Sequence, residues 1–228
     1  MRHISRALLT VMMSLTLNGP DLSVFAQHGE THQRRPVDVK EYLKDLDRPE
    51  RDQYQKPSQV VEALRLKPGM AVADVGSGSG YFTRRFARAI TDQGKVYAID
   101  VEPDMLAYVK DSFEHMQIPY TAEFVLGEPD NPKLPSDSVD LVFLCNVYHH
   151  VEKRIAYFTN LRAALKPEGR LAIIDFYHDE RSGDVGFPRR HLVARDTVID
   201  EMTKAGFALI REHTFLPRQY FLEFALPP

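Results

Sequence analysis

The sequence predicts an α/β fold: a mostly parallel sheet with helices on both faces and a C-terminal antiparallel hairpin. Three observations carry that expectation. From Val72 onward, short runs rich in β-branched and aromatic residues alternate with stretches whose apolar residues recur at three- and four-residue steps, as strands joined by crossover helices do. The last two strand-like runs are separated only by Thr214 to Arg218, too short a link for a parallel crossover, so they must pair antiparallel. A length of 228 residues with 43% hydrophobic content suits one large domain better than two small ones.

Residues 1–26 have the layout of a secretory signal peptide. Arg2 and Arg6 form a basic start, Ala7 to Leu17 is uncharged and mostly apolar, Asn18-Gly19-Pro20 stops it, and Val24-Phe25-Ala26 precedes a cut before Gln27. A disordered or amphipathic leader is the alternative. The run is too short to span a bilayer, and every later apolar run is broken by charge within about ten residues, so no transmembrane segment is expected in the mature chain. Cleavage near Ala26 predicts an exported protein, periplasmic or extracellular; without it the protein is cytoplasmic.

Residues 27–56 read as a polar arm and a helical cover, with short helices around Tyr42, Leu43 and Leu46 and around Tyr54, split at Arg48-Pro49. Tyr54, Gln55 and Lys56 are a candidate lid. The main domain is residues 57–228. Pro57 opens a helix with Val60, Val61 and Leu64 on one face, and Lys67-Pro68-Gly69 ends it. Strands are predicted at 72–75, 95–101, 124–126, 139–145 and 170–176. Helices are predicted on Met105, Leu106, Val109, Phe113 and Met116, on Val151, Ile155, Phe158, Leu161 and Leu165, and around Val198, Ile199 and Met202. The hairpin strands are 207–213 and 219–225.

Composition narrows the function. The 29 Lys plus Arg against 32 Asp plus Glu give a net charge of −3, so there is no bulk positive field for general nucleic-acid binding. The single cysteine, Cys145, excludes an intramolecular disulfide framework, a Cys-rich zinc site and a three-Cys iron–sulfur cradle, and no metal is expected. Cys145 reads as a buried strand residue.

The most informative stretch is Asp74-Val75-Gly76-Ser77-Gly78-Ser79-Gly80, where a strand runs through three alternating glycines into a helix. Glycine permits the tight turn and leaves no Cβ between the backbone and a ligand beside the helix N-terminus. A dinucleotide site would place its third glycine where Tyr81 stands, which disfavours a nicotinamide cofactor. Asp100, at the end of the next strand, can accept hydrogen bonds from ribose hydroxyls, which suits any adenosine-bearing ligand.

These residues resemble the class I S-adenosylmethionine-dependent methyltransferases, with their Rossmann-like seven-stranded sheet. The acid-led glycine loop, the acid ending the second strand, the Leu165-Lys166-Pro167-Glu168-Gly169-Arg170 turn and the closing hairpin carry the resemblance over roughly residues 57–225. It implies S-adenosyl-L-methionine as cofactor, with Gly76, Gly78 and Gly80 at its methionine part and Asp100 at the ribose. Asp74 corresponds to the acid near the cofactor amino group; alternatively it caps local N–H groups. Glu128, after the third strand, corresponds to the acid that meets the adenine amino group. The family's next backbone N–H is missing here, because Pro129 has none.

Asn146-Val147-Tyr148-His149-His150 follows the fourth strand at the ligand edge of the sheet, the segment that borders the transferred methyl in the resembled family. Asn146 can position a polar acceptor. His149 or His150 can line the site, act as a base or serve structure alone. Arg181, Arg189, Arg190 and Arg195 sit in a loop that either pairs with an anionic acceptor or is solvated and balanced by its own acids. The expected activity is methyl transfer to a small-molecule or lipid-like acceptor. The alternative is an exported adenosine-cofactor-binding module without catalysis. Oligomeric state is not encoded legibly.

Overall fold

The computed structural model describes residues 39–116, 121–186 and 188–227. The signal-peptide reading of residues 1–26 and the arm up to residue 38 lie outside them. Two short helices, α1 (Val39–Leu46) and α2 (Arg51–Gln55), precede α3 (Pro57–Ala63), which starts on a proline whose missing N–H costs nothing in a first turn. Then come β1 (Ala71–Val75), α4 (Thr83–Ile90), β2 (Lys95–Asp100), α5 (Pro103–His115), β3 (Ala122–Leu126), β4 (Val139–Cys145), α6 (Arg154–Leu161), β5 (Leu165–Phe176), α7 (Arg195–Lys204), β6 (Ala208–His213) and β7 (Gln219–Ala225).

The seven strands form one sheet in the order β3-β2-β1-β4-β5-β7-β6. The first five run parallel, and β7 enters antiparallel between β5 and β6, as the short Thr214 to Arg218 link requires. Alternate residues of each central strand serve opposite faces. In β4, Val142 and Leu144 pack with Tyr157, Phe158, Leu161, Val198 and Met202 of α6 and α7, whereas Leu141, Phe143 and Cys145 pack on the face covered by α3, α4 and α5. Burial on both faces explains why β1 and β4 read as nearly unbroken apolar runs.

The largest departures from the expected boundaries lie on either side of Leu165. The helix expected to run from Val151 through Leu165 spans only Arg154–Leu161, followed by a 3₁₀ turn at Arg162–Ala164. Leu165 instead opens β5, pairing with Val139; the register then jumps to Leu141 with Arg170, so Lys166 to Gly169 bulge out of the ladder. Pro167 lacks the N–H that a helix interior would need, which favours the bulge. No helix of the described residues is long and apolar enough to cross a membrane.

One side-chain knot holds the segment after β4 in place. The buried Tyr148 hydroxyl donates to Glu201 of α7 at 2.6 Å, and Arg154 donates to both oxygens of the same carboxylate at 2.7 and 3.0 Å. Glu201→Ala strands the Tyr148 hydroxyl and frees Arg154, so urea denaturation should show a loss of about 2 kcal/mol. An unchanged midpoint would mean that the knot contributes nothing to the packing of this segment.

Candidate functional site

Because β1 lies between β2 and β4, the helices after β1 and β4 leave to opposite faces of the sheet and a crevice opens at the carboxyl ends of the strands. The glycine loop turns there. Gly76 has φ +70°, and a Cβ on it would collide with Val147; Gly80, at φ +76°, would place one 2.8 Å from Val109 Cγ1. The N–H of Gly78 donates to Asp100 Oδ2 at 2.8 Å, while Asp100 Oδ1 accepts from Glu102 N–H at 3.0 Å. Asp100 thus braces the loop through Oδ2 and the chain just after its own strand through Oδ1, and burial raises its carboxyl above the ordinary value despite the backbone N–H groups around it.

Asp74 is 3% exposed, and its Oδ2 accepts the Thr83 hydroxyl at 2.6 Å. Burial pushes its carboxyl up to about 6, with the Thr83 hydroxyl and the charge of Arg51 pulling the other way. Asp74 thus holds the first residue of α4, at the cost of desolvating a carboxylate.

The cover supplies what the sequence reading did not single out. Asp47, just after α1, accepts from Ser79 Oγ at 2.7 Å and from Arg84 Nη2 at 3.0 Å, and Asp52 of α2 accepts the Tyr81 hydroxyl. Arg51 lies 3.9 Å over the Tyr81 ring, donates to the Leu46 carbonyl at 2.9 Å and reaches the Cys145 thiol, which burial pushes up to about 12. Arg51 Nε, Gln55 Nε2, Ser77 Oγ and Gln219 Oε1 are all buried at this edge without a hydrogen-bond partner among the described residues. Each unmade bond costs about 1–3 kcal/mol, so their gathering marks a surface built for a polar ligand.

After β4, Asn146 adopts φ +60°, a strained value that asparagine tolerates better than most residues. Its Oδ1 accepts from Gln219 Nε2 at 2.6 Å. His149 is buried with Nδ1 2.9 Å from the fully buried Asp175, which also accepts the His149 and Phe176 backbone N–H groups at 3.1 and 2.8 Å. Asp175, an acid within the apolar end of a predicted strand, was the available signal for this pair. His150 is exposed, its ring 4.1 Å from that of His149.

Glu128 is placed differently from the other candidates. It is exposed, lies in a tight turn with Asn131, and pairs with Lys133 at 2.7 Å. In the arginine-bearing loop Arg181 pairs with Asp179 at 2.6 Å, and Arg195, at the start of α7, reaches Glu212 of β6.

A methyltransferase-domain family model matches residues 72–169, the stretch from the glycine loop to the bulge of β5. A solved S-adenosylmethionine-dependent methyltransferase from Aquifex aeolicus superposes with a TM-score of 0.75 at 28% identity, over 82% of this chain and 97% of that one. Residues 72–169 thus match a methyltransferase domain, and the chain has the fold of the S-adenosylmethionine-dependent methyltransferases. The ubiquinone/menaquinone biosynthesis C-methyltransferase UbiE of Vibrio campbellii is 28% identical over 116 residues, 51% of this chain and 45% of that protein. The corresponding enzyme of Shewanella halifaxensis is 26% identical over 51% of this chain and 46% of its own length. The chain thus matches about half the length of these curated relatives.

The residues present fit the cofactor of a methyltransferase domain of this class. Its α-ammonium suits the desolvated Asp74, its carboxylate suits the unmatched Arg51 N–H, and its ribose hydroxyls suit the remaining lone pairs of Asp100.

A carboxyl with a raised folded-state value binds protons more readily folded than unfolded. Its contribution favours the fold at low pH and is lost as pH rises from the usual 3.8 through about 6. Asp74→Asn should therefore stabilise the ligand-free protein at pH 7.5 by up to about 3 kcal/mol in denaturant unfolding, with the gain vanishing near pH 4. Equal stability of the two proteins at pH 7.5 would contradict a desolvated, ionised Asp74.

Proposed function

We propose that the chain transfers a methyl group from S-adenosylmethionine to a small-molecule or lipid-like acceptor at the carboxyl edge of the sheet. The observation that carries this reading is the pairing of a desolvated acid, Asp74, with a buried guanidinium N–H on Arg51, which together complement a zwitterionic amino-acid moiety. Bound there, S-adenosylmethionine would supply a methyl on a sulfonium, a group whose transfer requires in-line placement of the acceptor, with the proton that the acceptor gives up passing to water.

The chain's own residues then divide the work. Asp74 and Arg51 hold opposite charges of the methionine part, and Asp100 takes the ribose while keeping its grip on the loop through Gly78. Gly76, Gly78 and Gly80 let the backbone turn close to the ligand. The cover made by α1 and α2 shields it from water, pinned through Asp47 and Asp52. Asn146 faces the acceptor. His149 is a positioning residue, locked with a proton on Nδ1 by Asp175, so that the segment carrying Asn146 and His150 keeps one conformation. Glu128 would have to leave Lys133 to reach an adenine. The relatives' names make an acceptor with an aromatic or isoprenoid body a natural first substrate to try, and processing before Gln27 would place the reaction outside the cytoplasm.

Calorimetric titration with S-adenosylmethionine should show binding to the wild type, weakened more than tenfold in Asp100→Ala, because a charge-assisted hydrogen bond is worth about 1.5–3 kcal/mol. Labelled methyl should then pass into a small-molecule or lipid fraction of an extract. Tight cofactor binding with no labelled product in any fraction would favour a binding module, and no cofactor binding would reject the reading altogether.

A further inference from the structure

Gln55 and Gln219 come from opposite ends of the chain and are both fully buried. Gln219, the first residue of β7 and the partner of Phe176 at the end of β5, donates through Nε2 to Asn146 Oδ1 at 2.6 Å and to Gln55 Oε1 at 3.5 Å. Gln55 Nε2 and Gln219 Oε1 are left over, one donor and one acceptor on touching amides, with no partner among the described residues. Reversing every amide in the chain exchanges their identities but still leaves one of each. An amide pair serving structure alone would close both bonds on itself, and the cover is already tied to this corner by Lys56 Nζ, which donates to the Phe215 carbonyl at 2.8 Å.

The surroundings specify the rest of the ligand. The Tyr54 and Phe176 rings stand 5.9 Å apart beside the amides and offer aromatic faces. Arg218, 4.8 Å over Tyr54, is committed to the carbonyls of Ser182 and Asp184. The amide pair itself bears no charge, so it discriminates against an ionised group and favours one that both donates and accepts. We infer that Gln55 and Gln219, braced by Asn146, recognise a neutral hydroxyl on an acceptor with an aromatic or otherwise apolar body. This specificity rests on the methyl-transfer reading above, and it names the acceptor's chemical class.

Four small probes of one shape test it: phenol, toluene, benzoate and benzylamine, titrated by NMR into the full chain with and without S-adenosylhomocysteine. Phenol should bind about tenfold or more tighter than toluene or benzoate. Gln55→Leu and Gln219→Leu should bring phenol down to toluene, while S-adenosylhomocysteine affinity stays within about threefold of wild type. Gln55→Glu keeps the size but replaces donors by acceptors, and should put benzylamine ahead of phenol; this gain of binding decides the matter even where the leucine variants fail to fold. A wild type that does not prefer phenol, a preference that survives in folded leucine variants, or an unchanged probe order in Gln55→Glu would overturn the inference. Failure of S-adenosylhomocysteine to bind would reject the methyl-transfer reading, whereas the probe order on ligand-free protein judges the amide pair alone.

Discussion

Parallel pairing of β1 with β2 on one side and β4 on the other sets where every chemistry-bearing residue ends. With strands aligned in one direction, the segments leaving β1, β2, β4 and β5 emerge at the same edge, and the switch in strand order parts them into a crevice. Asp74, Asp100, Asn146 and Asp175 are each within one residue of a strand end at that edge. The antiparallel β7 adds Gln219 there because its start lies opposite the end of β5. A one-residue slip in any of these strands would exchange its two faces and remove its contribution.

The edge is energetically poor by the standards of the rest of the chain. The sheet is covered by apolar side chains on both faces, yet here an acid is desolvated and several amide, hydroxyl and guanidinium atoms are buried without hydrogen-bond partners among the described residues. Such groups weaken the ligand-free fold and strengthen the complex, because a ligand that matches them need not strip water from the site at the moment of binding. The cover completes the arrangement: Arg51 and Gln55 would be solvated on an isolated helix, and Asp47 and Asp52 hold that helix pair against the glycine loop.

What was legible in the sequence follows from locality. Strand–helix alternation, the glycine turn and the placing of Asp74 and Asp100 at strand ends were readable because each depends on neighbours in the chain and on periodicity. Arg51 and Gln219 were not readable as site groups, and Gln55 only as part of a candidate lid, because segments as far apart as 164 residues have to meet before their roles arise. Asp175 was in plain view as an acid in an apolar strand but acquires meaning only beside His149. Glu128 occupies the position the family resemblance assigns, yet the tight turn around Pro129 sends its side chain outward to Lys133, a local geometry that the motif does not encode. The helix cut short before Leu165 shows strand pairing overriding a helical apolar spacing.

On the proposed reading, Asp74 sits desolvated and half-protonated near pH 6 until an ammonium-bearing ligand arrives. Titrating S-adenosylhomocysteine calorimetrically in two buffers of different ionisation heat counts the protons exchanged on binding. At pH 6 the wild type should release roughly half a proton and at pH 8 almost none, with the release at pH 6 abolished in Asp74→Asn. Binding without proton release at pH 6, or a release that persists in Asp74→Asn, would contradict it.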